Sequence, residues 1–470
     1  MQYTISHRMS DVHGSAIREL FKLGADPNMI SFGGGNPSAE TFPVPEIADV
    51  MKNAPVSVLQ YGLSEGYTPL RDTMKEYLAR TQGFDFEKNE LFIVSGGQQC
   101  ADLTTKVLVN EGDVILTEDP AFVGCLNTFR SYGAKLVGVP MQQDGMDIDA
   151  LEAALKANPN AKLLYTIPSF QNPSGITTTL EKRKKVYELA CKYDIAILED
   201  NPYGELRFSG EDVPTIKSMD TEGRVLYAGS FSKVMAPAFR LGFLVFDKSL
   251  TMPLTIAKQT TDVHSNVLFQ YVCNEYMTKY DFASHLEKSR GVYREKCRLM
   301  LDTMRRTFHP SVTFPQPEGG LFVMAFLPEG MDAQPFVREA IKRGVPFETI
   351  YNITKIDPWF LAKLQGLAET ELALAGLRGG ILTEELYRTA KMQGFLDKTV
   401  LRLTGLDALP CEKLRASYKM VDTCAAEFSA KTPYFYSTFD EENEAAQFIA
   451  EHPSDRKKVL VFGSGPIRIG

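Results

Sequence analysis

No stretch of this 470-residue chain approaches the roughly 18 consecutive apolar residues of a membrane span. The opening MQYTISHRMSDVHGS also lacks the apolar run of a secretory leader. Basic excess is missing too: 51 Lys and Arg against 59 Asp and Glu give a formal charge of -8. That balance excludes the broad positive face on which nucleic-acid binding depends. The seven cysteines form no CxxC pair and no His/Cys metal spacing, so they read as reduced thiols, with neither a disulfide scaffold nor a metal site expected. Repeats and low-complexity segments are absent, and the Pro/Gly-rich pieces SFGGGNPSAETFPVP and FPQPEGG are short enough for loops. What remains is a soluble, cytoplasmic, globular class with 44% hydrophobic residues, long enough for roughly two to four domains at about 150 residues each.

What is present is a rhythm. From about residue 90 the short apolar runs ELFIVS, DVILTED, KLVGVP, KLLYTIP, DIAILED, RVLYAGS and GFLVFD alternate with longer segments of helical period. Strands apolar throughout and separated by helices predict a mainly parallel sheet covered on both faces, an α/β domain. In GYTPLRDTMKEYLAR, Thr68 is expected to cap a helix with Pro69 in its first turn, and Leu70, Met74, Tyr77 and Leu78 mark its apolar face. In TTTLEKRKKVYELACKYD, Leu180, Val186, Leu189 and Ala190 do the same. After about residue 350 the pattern changes to short helices with turns between them, and no further strand is expected before KKVLVFGSG near the end.

One stretch asks for a chemical explanation. GSFSKVMAPAFRLG, residues 229–242, puts Lys233 beside Ser230 and Ser232 and ahead of Arg240. Two hydroxyl donors and a fixed guanidinium fork suit a phosphate dianion. An amine next to a phosphate site suits a phosphorylated aldehyde held covalently, as in pyridoxal phosphate. Three further features then become meaningful. In LFIVSGGQQC, Ser95, Gly96 and Gly97 turn the chain into a helix whose free N–H groups favour an anion. In IAILEDNPYGEL a strand ends on Asp200, a partner for the pyridine nitrogen, with Tyr203 in reach of the ring oxygen. In YTIPSFQNPSGIT, Asn172 leaves another strand end for the same oxygen, and in EDPAFVGC, Phe122 offers an aromatic face to the ring. Taken singly, each has a bland reading as solvated lysine, turn, helix cap or core phenylalanine.

In the order SGGQQ, EDPAF, QNPSG, EDNPY, SFSK and RLG, the chain resembles fold-type I pyridoxal-phosphate aminotransferases of the aromatic and 2-aminoadipate branch over roughly residues 1–347. The resemblance implies that Lys233 holds the cofactor aldehyde and later moves a proton, while Asp200 holds the ring nitrogen. It implies that Tyr203 and Asn172 bind the ring oxygen, and that Gly97, Gln98, Ser230, Ser232 and Arg240 bind the phosphate, with the Ser95 and Gly96 turn read above as part of the same cofactor site. Tyr61 in LQYGLSEGY would reach a phosphate across a homodimer interface. Gly34 and Gly35, together with Asn172, would lie near the amino-acid or 2-oxo-acid substrate. A β-lyase on the same fold is the alternative chemistry, and a binding-only relative the alternative to catalysis.

Residues 348–470 resemble something else. TIYNITKIDPWFLAKLQ, YRTAKMQGF, YKMVDTCAAEFSAKTPYFYST and KVLVFGSGPIRIG are similar to the oligomerisation region of the carbamoyl-phosphate synthase large chain and the first strand of its second synthetase half. The implied domains are an N-terminal arm with part of a small domain (1–45), a large cofactor domain (46–305), the rest of a truncated small domain (306–347), a helical oligomerisation-like domain (348–455) and a truncated synthetase start (456–470). The helical module is expected to serve association rather than synthesis. The arginine that clamps a substrate carboxylate in an RLNFS-like stretch of the aminotransferase family has no counterpart before the join, so impaired transamination is also expected.

Overall fold

The computed structural model of the chain describes residues 34–328 and 358–409, the short segments 417–420 and 435–438, and positions 6, 9, 330, 339, 341–345, 447, 450 and 451. Two compact units divide the chain, one over residues 5–326 and one from residue 327 on. The expected synthetase start at 456–470 and the first 33 residues of the arm, apart from Ser6 and Met9, lie outside the described residues.

In the first unit the apolar runs form strands because both of their faces are covered. Leu91, Phe92, Ile93 and Val94 of β1 (Asn89–Val94) have no exposed surface at all. β2 (Val114–Asp119), β3 (Lys135–Gln142), β4 (Gly145–Met146), β5 (Ala161–Thr166), β6 (Ala196–Asp200), β7 (Val225–Ser230) and β8 (Gly242–Asp247) complete a sheet of order β1-β8-β7-β6-β5-β2-β3-β4. β2, β3, β5, β6 and β7 pair in parallel. β8 runs antiparallel between β1 and β7, and β4 folds back on β3. All seven expected runs are strands; two-residue β4 is too short for any periodicity to announce.

Strand periodicity sorts the core into layers. Phe92, Val94, Tyr165, Leu198 and Leu244 point to the face covered by the helices Gly97–Leu108, Val123–Ser131 and Thr251–Gln259. Leu91, Ile93, Tyr227, Phe243 and Val245 point the other way, toward the helices Val44–Lys52, Thr68–Gln82, Val267–Lys279 and Phe282–Thr307. The helices Ile148–Ala157 and Leu180–Lys192 extend that second layer over β2, β3, β5 and β6. Each fully buried side chain of this size contributes about 1.5–3 kcal/mol.

Two helix details differ from expectation. Thr68 is the first helical residue rather than the cap; Tyr67 occupies the cap position and no side chain caps the turn. Proline in the first turn makes the missing cap tolerable, because its own N–H is one fewer orphan donor. Leu180 stands exposed at the start of its helix, while Arg183, one turn on, is fully buried with Val186 and Ala190. Arg183 is accepted there because its guanidinium donates to the carbonyls of Thr178, Pro168, Val213 and Pro214 and to Ser169 Oγ at 2.9–3.3 Å.

The second unit holds the helices Pro358–Gly376, Glu384–Met392 and Asp397–Thr404, packed around Leu374, Tyr387, Ala390 and Val400. Thr383 caps the middle helix by accepting from the Leu386 N–H at 3.2 Å, and Gly405, at φ +70°, ends the last one. Contrary to the reading of a strand-free module, β9 (Ser417–Met420) and β10 (Phe435–Thr438) pair antiparallel. Their four residues each carry mixed polarity, too little for a strand pattern to stand out. No helix among the described residues is long and apolar enough to cross a membrane.

Candidate active site

Parallel strands deliver their carboxyl ends to one sheet edge, the place where open α/β sheets bind ligands. β1 ends into Ser95, β5 leads to Asn172, β6 ends on Asp200, and β7 ends on Ser230, three residues before Lys233. β8 starts at the same edge with Gly242, paired with both Val94 and Ser230. A Cβ on Gly242 would stand 2.7 Å from the Gly229 carbonyl oxygen and 2.9 Å from the Gly96 carbonyl carbon. Only glycine lets these backbones approach so closely.

The anion-binding end is built on that close approach. Gly96, at φ +83°, precedes the Gly97–Leu108 helix, whose first N–H groups face the turn. Arg240, itself at φ +51°, lays its guanidinium on Gly96 so tightly that a Cβ there would meet Nη2 at 2.6 Å. Among the described residues the Arg240 guanidinium has no hydrogen-bond or ion-pair partner; only the backbone N–H of the residue is engaged, by the Pro237 carbonyl at 3.3 Å. Ser230 Oγ accepts the Ser232 N–H at 3.1 Å, which folds the two hydroxyl residues together. Ser95 behaves differently from its sequence reading. Its hydroxyl lies 2.8 Å from Asp262 Oδ2 and 2.9 Å from Ser265 Oγ, and its N–H donates to Gln99 Oε1 at 2.7 Å. Both Ser95 donors are thus engaged inside the protein. The Gln98 side chain likewise turns away, donating to the Gly124 carbonyl at 2.9 Å and to Thr128 Oγ1.

The Lys233 amine donates to the Gly35 carbonyl at 2.8 Å and stands 5.9 Å from the Tyr203 ring centre. Desolvation, with the Arg240 charge adding to it, lowers its pKa from 10.5 to about 8. Asn172 Nδ2 reaches the Tyr203 hydroxyl at a long 3.4 Å. Burial pushes the Asp200 carboxyl up to about 7, with the Glu118 charge adding to the rise and a 2.8 Å hydrogen bond from the Tyr165 hydroxyl opposing it. That bond falls on Oδ2; among the described residues Oδ1 accepts none, and it points toward Gly97.

The remaining predicted residues sit at the margins. Gly34 accepts the Asn36 N–H at 2.9 Å, next to Gly35, against which Phe322 packs. Phe122 is half-buried, with its ring folded over Gly124 beside Gln98. Tyr61 is 84% exposed, and its ring meets His264 edge to face at 5.7 Å. Sequence reasoning missed Tyr165, Phe322 and Glu118. Glu118 is almost fully buried and accepts from Thr166 Oγ1 at 2.5 Å, the Ile167 N–H at 3.0 Å and Gln171 Nε2 at 3.0 Å. Tyr165 and Glu118 lie inside runs that the pattern assigns to the core, so only their polar atoms could have singled them out.

This site has close counterparts among known proteins. The family model for class I and II aminotransferases matches residues 27–360. The chain belongs to that family. It is 39% identical to aromatic-amino-acid aminotransferase 1 of Thermococcus litoralis, over 73% of this chain and 84% of the relative. It is 37% identical to the 2-aminoadipate transaminase of Thermus thermophilus, over 72% and 84%. A solved kynurenine aminotransferase of Pyrococcus horikoshii superposes with a TM-score of 0.68 at 35% identity, covering 78% of this chain and 96% of that one. This is therefore a pyridoxal-phosphate-dependent aminotransferase of fold type I. A second family model, the oligomerisation domain of the carbamoyl-phosphate synthetase large chain, matches residues 331–419. The residues of the site fit the cofactor: a guanidinium unpartnered among the described residues and a helix N-terminus at one end, and a buried carboxylate with an open lone pair at the other.

Proposed function

We propose that this site moves an amino group between an amino acid and a 2-oxo acid, with Lys233 as the proton carrier and Asp200, Tyr203, Asn172 and Arg240 as the groups that hold the cofactor. The observation that carries the reading is the half-buried Lys233 amine, held 2.8 Å from the Gly35 carbonyl with its pKa lowered to about 8. An amine of that basicity is partly neutral near pH 7.5, so it can take a proton from a substrate Cα and return one.

Bound pyridoxal phosphate would supply the electron sink, drawing off the electron pair left when the Cα proton goes. Asp200 would face the ring nitrogen, where a buried carboxylate favours the protonated pyridine. Tyr203, supported by Asn172, would donate to the ring oxygen. Arg240, the hydroxyls of Ser230 and Ser232, and the amides at Gly96, Gly97 and Gln98 would take the phosphate. Ser95 would shape that cup rather than touch the phosphate, because its own donors are engaged. Phe122 would stack near the ring, and Gly34 and Gly35 would border the substrate.

The exposed apolar residues Val56, Leu59, Tyr61 and Leu63 support a homodimer in which Tyr61 completes the partner's phosphate site. We place the join between the aminotransferase part and the carbamoyl-phosphate synthase-like part near residue 347, inside the 331–360 overlap of the two family matches.

The test is a half-reaction. The full chain is loaded with pyridoxal phosphate and its absorbance recorded before and after an excess of glutamate, with Lys233→Ala as the control. Conversion of the bound cofactor to its amine form in wild type alone is the expected result. Binding without conversion would leave a cofactor-holding protein that does not transaminate, and pyruvate release from a cysteine conjugate would redirect the reading to β-elimination.

A further inference from the structure

Behind the Ser95–Gly96–Gly97 turn lies a charged cluster to which the reaction assigns no role. Lys258 is fully buried, a rare state for lysine. Its amine stands 2.5 Å from Asp262 Oδ1 and 3.0 Å from Ser265 Oγ. The second Asp262 oxygen is 2.8 Å from Ser95 Oγ, which is itself 2.9 Å from Ser265 Oγ, so four side chains close a ring of hydrogen bonds. Ser265 is anchored in turn, because its carbonyl accepts from fully buried Gln270 at 2.9 Å and Gln270 accepts the Tyr67 N–H at 2.7 Å.

The loop that brings Asp262 into place is strained. The N–H groups of Thr261, Asp262 and Val263 all converge on the Lys258 carbonyl, and Val263 is forced to φ +65°, which a β-branched residue seldom adopts. Such backbone persists only where the surroundings over-determine it, and it gathers at functional sites. A buried ion pair is also a poor way to gain stability, since apolar residues of similar volume usually do as well. Strain and buried charge therefore converge on one output, the position of Ser95.

We propose that Lys258, Asp262 and Ser265 form a clamp that holds Ser95 so that the amides of the following turn face the cofactor phosphate. They are positioning residues, acting through Ser95 without touching the cofactor. The inference rests on the assignment of this turn and Arg240 to the phosphate.

The experiment compares two probes on the apo full chain, pyridoxal phosphate and pyridoxal, the second lacking the phosphate. Dissociation constants are taken from absorbance titrations, alongside circular dichroism for folding. In Asp262→Asn the ammonium loses its charged partner and the ring opens, so affinity for pyridoxal phosphate should fall about 10- to 100-fold. Pyridoxal affinity should change by less than about threefold, because the lost preference belongs to the phosphate. Ser95→Ala, which removes one hydroxyl and is the variant that decides if Asp262→Asn does not fold, should shift the same ratio in the same direction. A parallel fall for both probes would mean general loosening and would overturn the clamp, as would an unchanged ratio in these variants. Arg240→Ala separates the two levels. If it loses the preference for the phosphate while the clamp variants keep it, only the clamp fails; if it keeps the preference, the phosphate assignment itself fails.

Discussion

Replacing the reactive lysine should make the apo protein more stable, and the size of the gain follows from the site. The Lys233 amine is half-buried, its hydrogen-bond acceptor among the described residues is the Gly35 carbonyl, and Arg240 is a neighbour of like charge. The fall in pKa from 10.5 to about 8 corresponds to about 3 kcal/mol of unfavourable charging at neutral pH. Lys233→Met removes the charge and keeps the stem, but leaves the Gly35 carbonyl without its donor, at a cost of about 1 kcal/mol. The expected net gain is about 2 kcal/mol, the trade between stability and function that strained sites show. Its pH dependence is the sharper test. A cation with a depressed folded pKa contributes fully only above its unfolded value and loses that contribution as pH falls through the folded value. The gain should be complete below about pH 8 and vanish toward pH 10.5. Urea unfolding of both apo proteins at pH 6.5 and 10.5, followed by far-UV circular dichroism, measures it. A Lys233→Met protein less stable than wild type at pH 6.5, or a gain that persists undiminished at pH 10.5, refutes the reasoning.

Two further outcomes are expected. Burial raises the folded pKa of Asp200 and of Glu118 to about 7, so the folded apo protein keeps protons that the unfolded chain gives up. Stability should be fullest below about pH 4 for these two groups and fall as pH rises to about 7, by up to about 4 kcal/mol for Asp200; Asp200→Asn should flatten that slope in the same urea series, and an unaltered slope would count against it. Arg183→Met should cost about 3–5 kcal/mol, because it strands the Thr178 carbonyl and takes one of two donors from the Pro168 carbonyl, on either side of the Asn172 loop. A loss below about 1 kcal/mol in calorimetry would show that water replaces the guanidinium there.

Much of this architecture was legible because strand burial leaves a strong trace. Runs such as LFIV and VILT are buried on both faces, and a sheet covered by helices on each side explains them whether the strand pairs in parallel, as VILT does, or antiparallel, as LFIV does. The site was legible for a related reason: residues at the carboxyl ends of those strands are chemically unlike the strands themselves, so Asp200, Asn172 and Lys233 stand out against apolar sequence. What stayed hidden was long-range partnership. Nothing in SGGQQ says that Ser95 will spend its hydroxyl on Asp262, which lies 167 residues away. Nothing local says that Tyr165 will donate to Asp200 rather than serve as core aromatic. Arg183 was hidden by its charge, since a helical arginine reads as solvent-facing until a ring of carbonyls closes around it.

The two ends of the site are each out of electrostatic balance, in opposite senses. Lys233 and Arg240 gather positive charge with no carboxylate against them among the described residues, beside a helix N-terminus that adds to it. Asp200 and Glu118 gather acidic groups that burial drives toward the neutral form, the Glu118 charge adding to the effect at Asp200. A fold selected for stability alone would have paired these groups with one another or replaced them with apolar residues. Their separation instead matches a ligand that is anionic at one end and a cation at the other, which is the charge pattern of pyridoxal phosphate with a protonated ring. The same imbalance explains why the Lys233 and Asp200 substitutions should stabilise the apo protein: each removes a charge that has no counterion among the described residues.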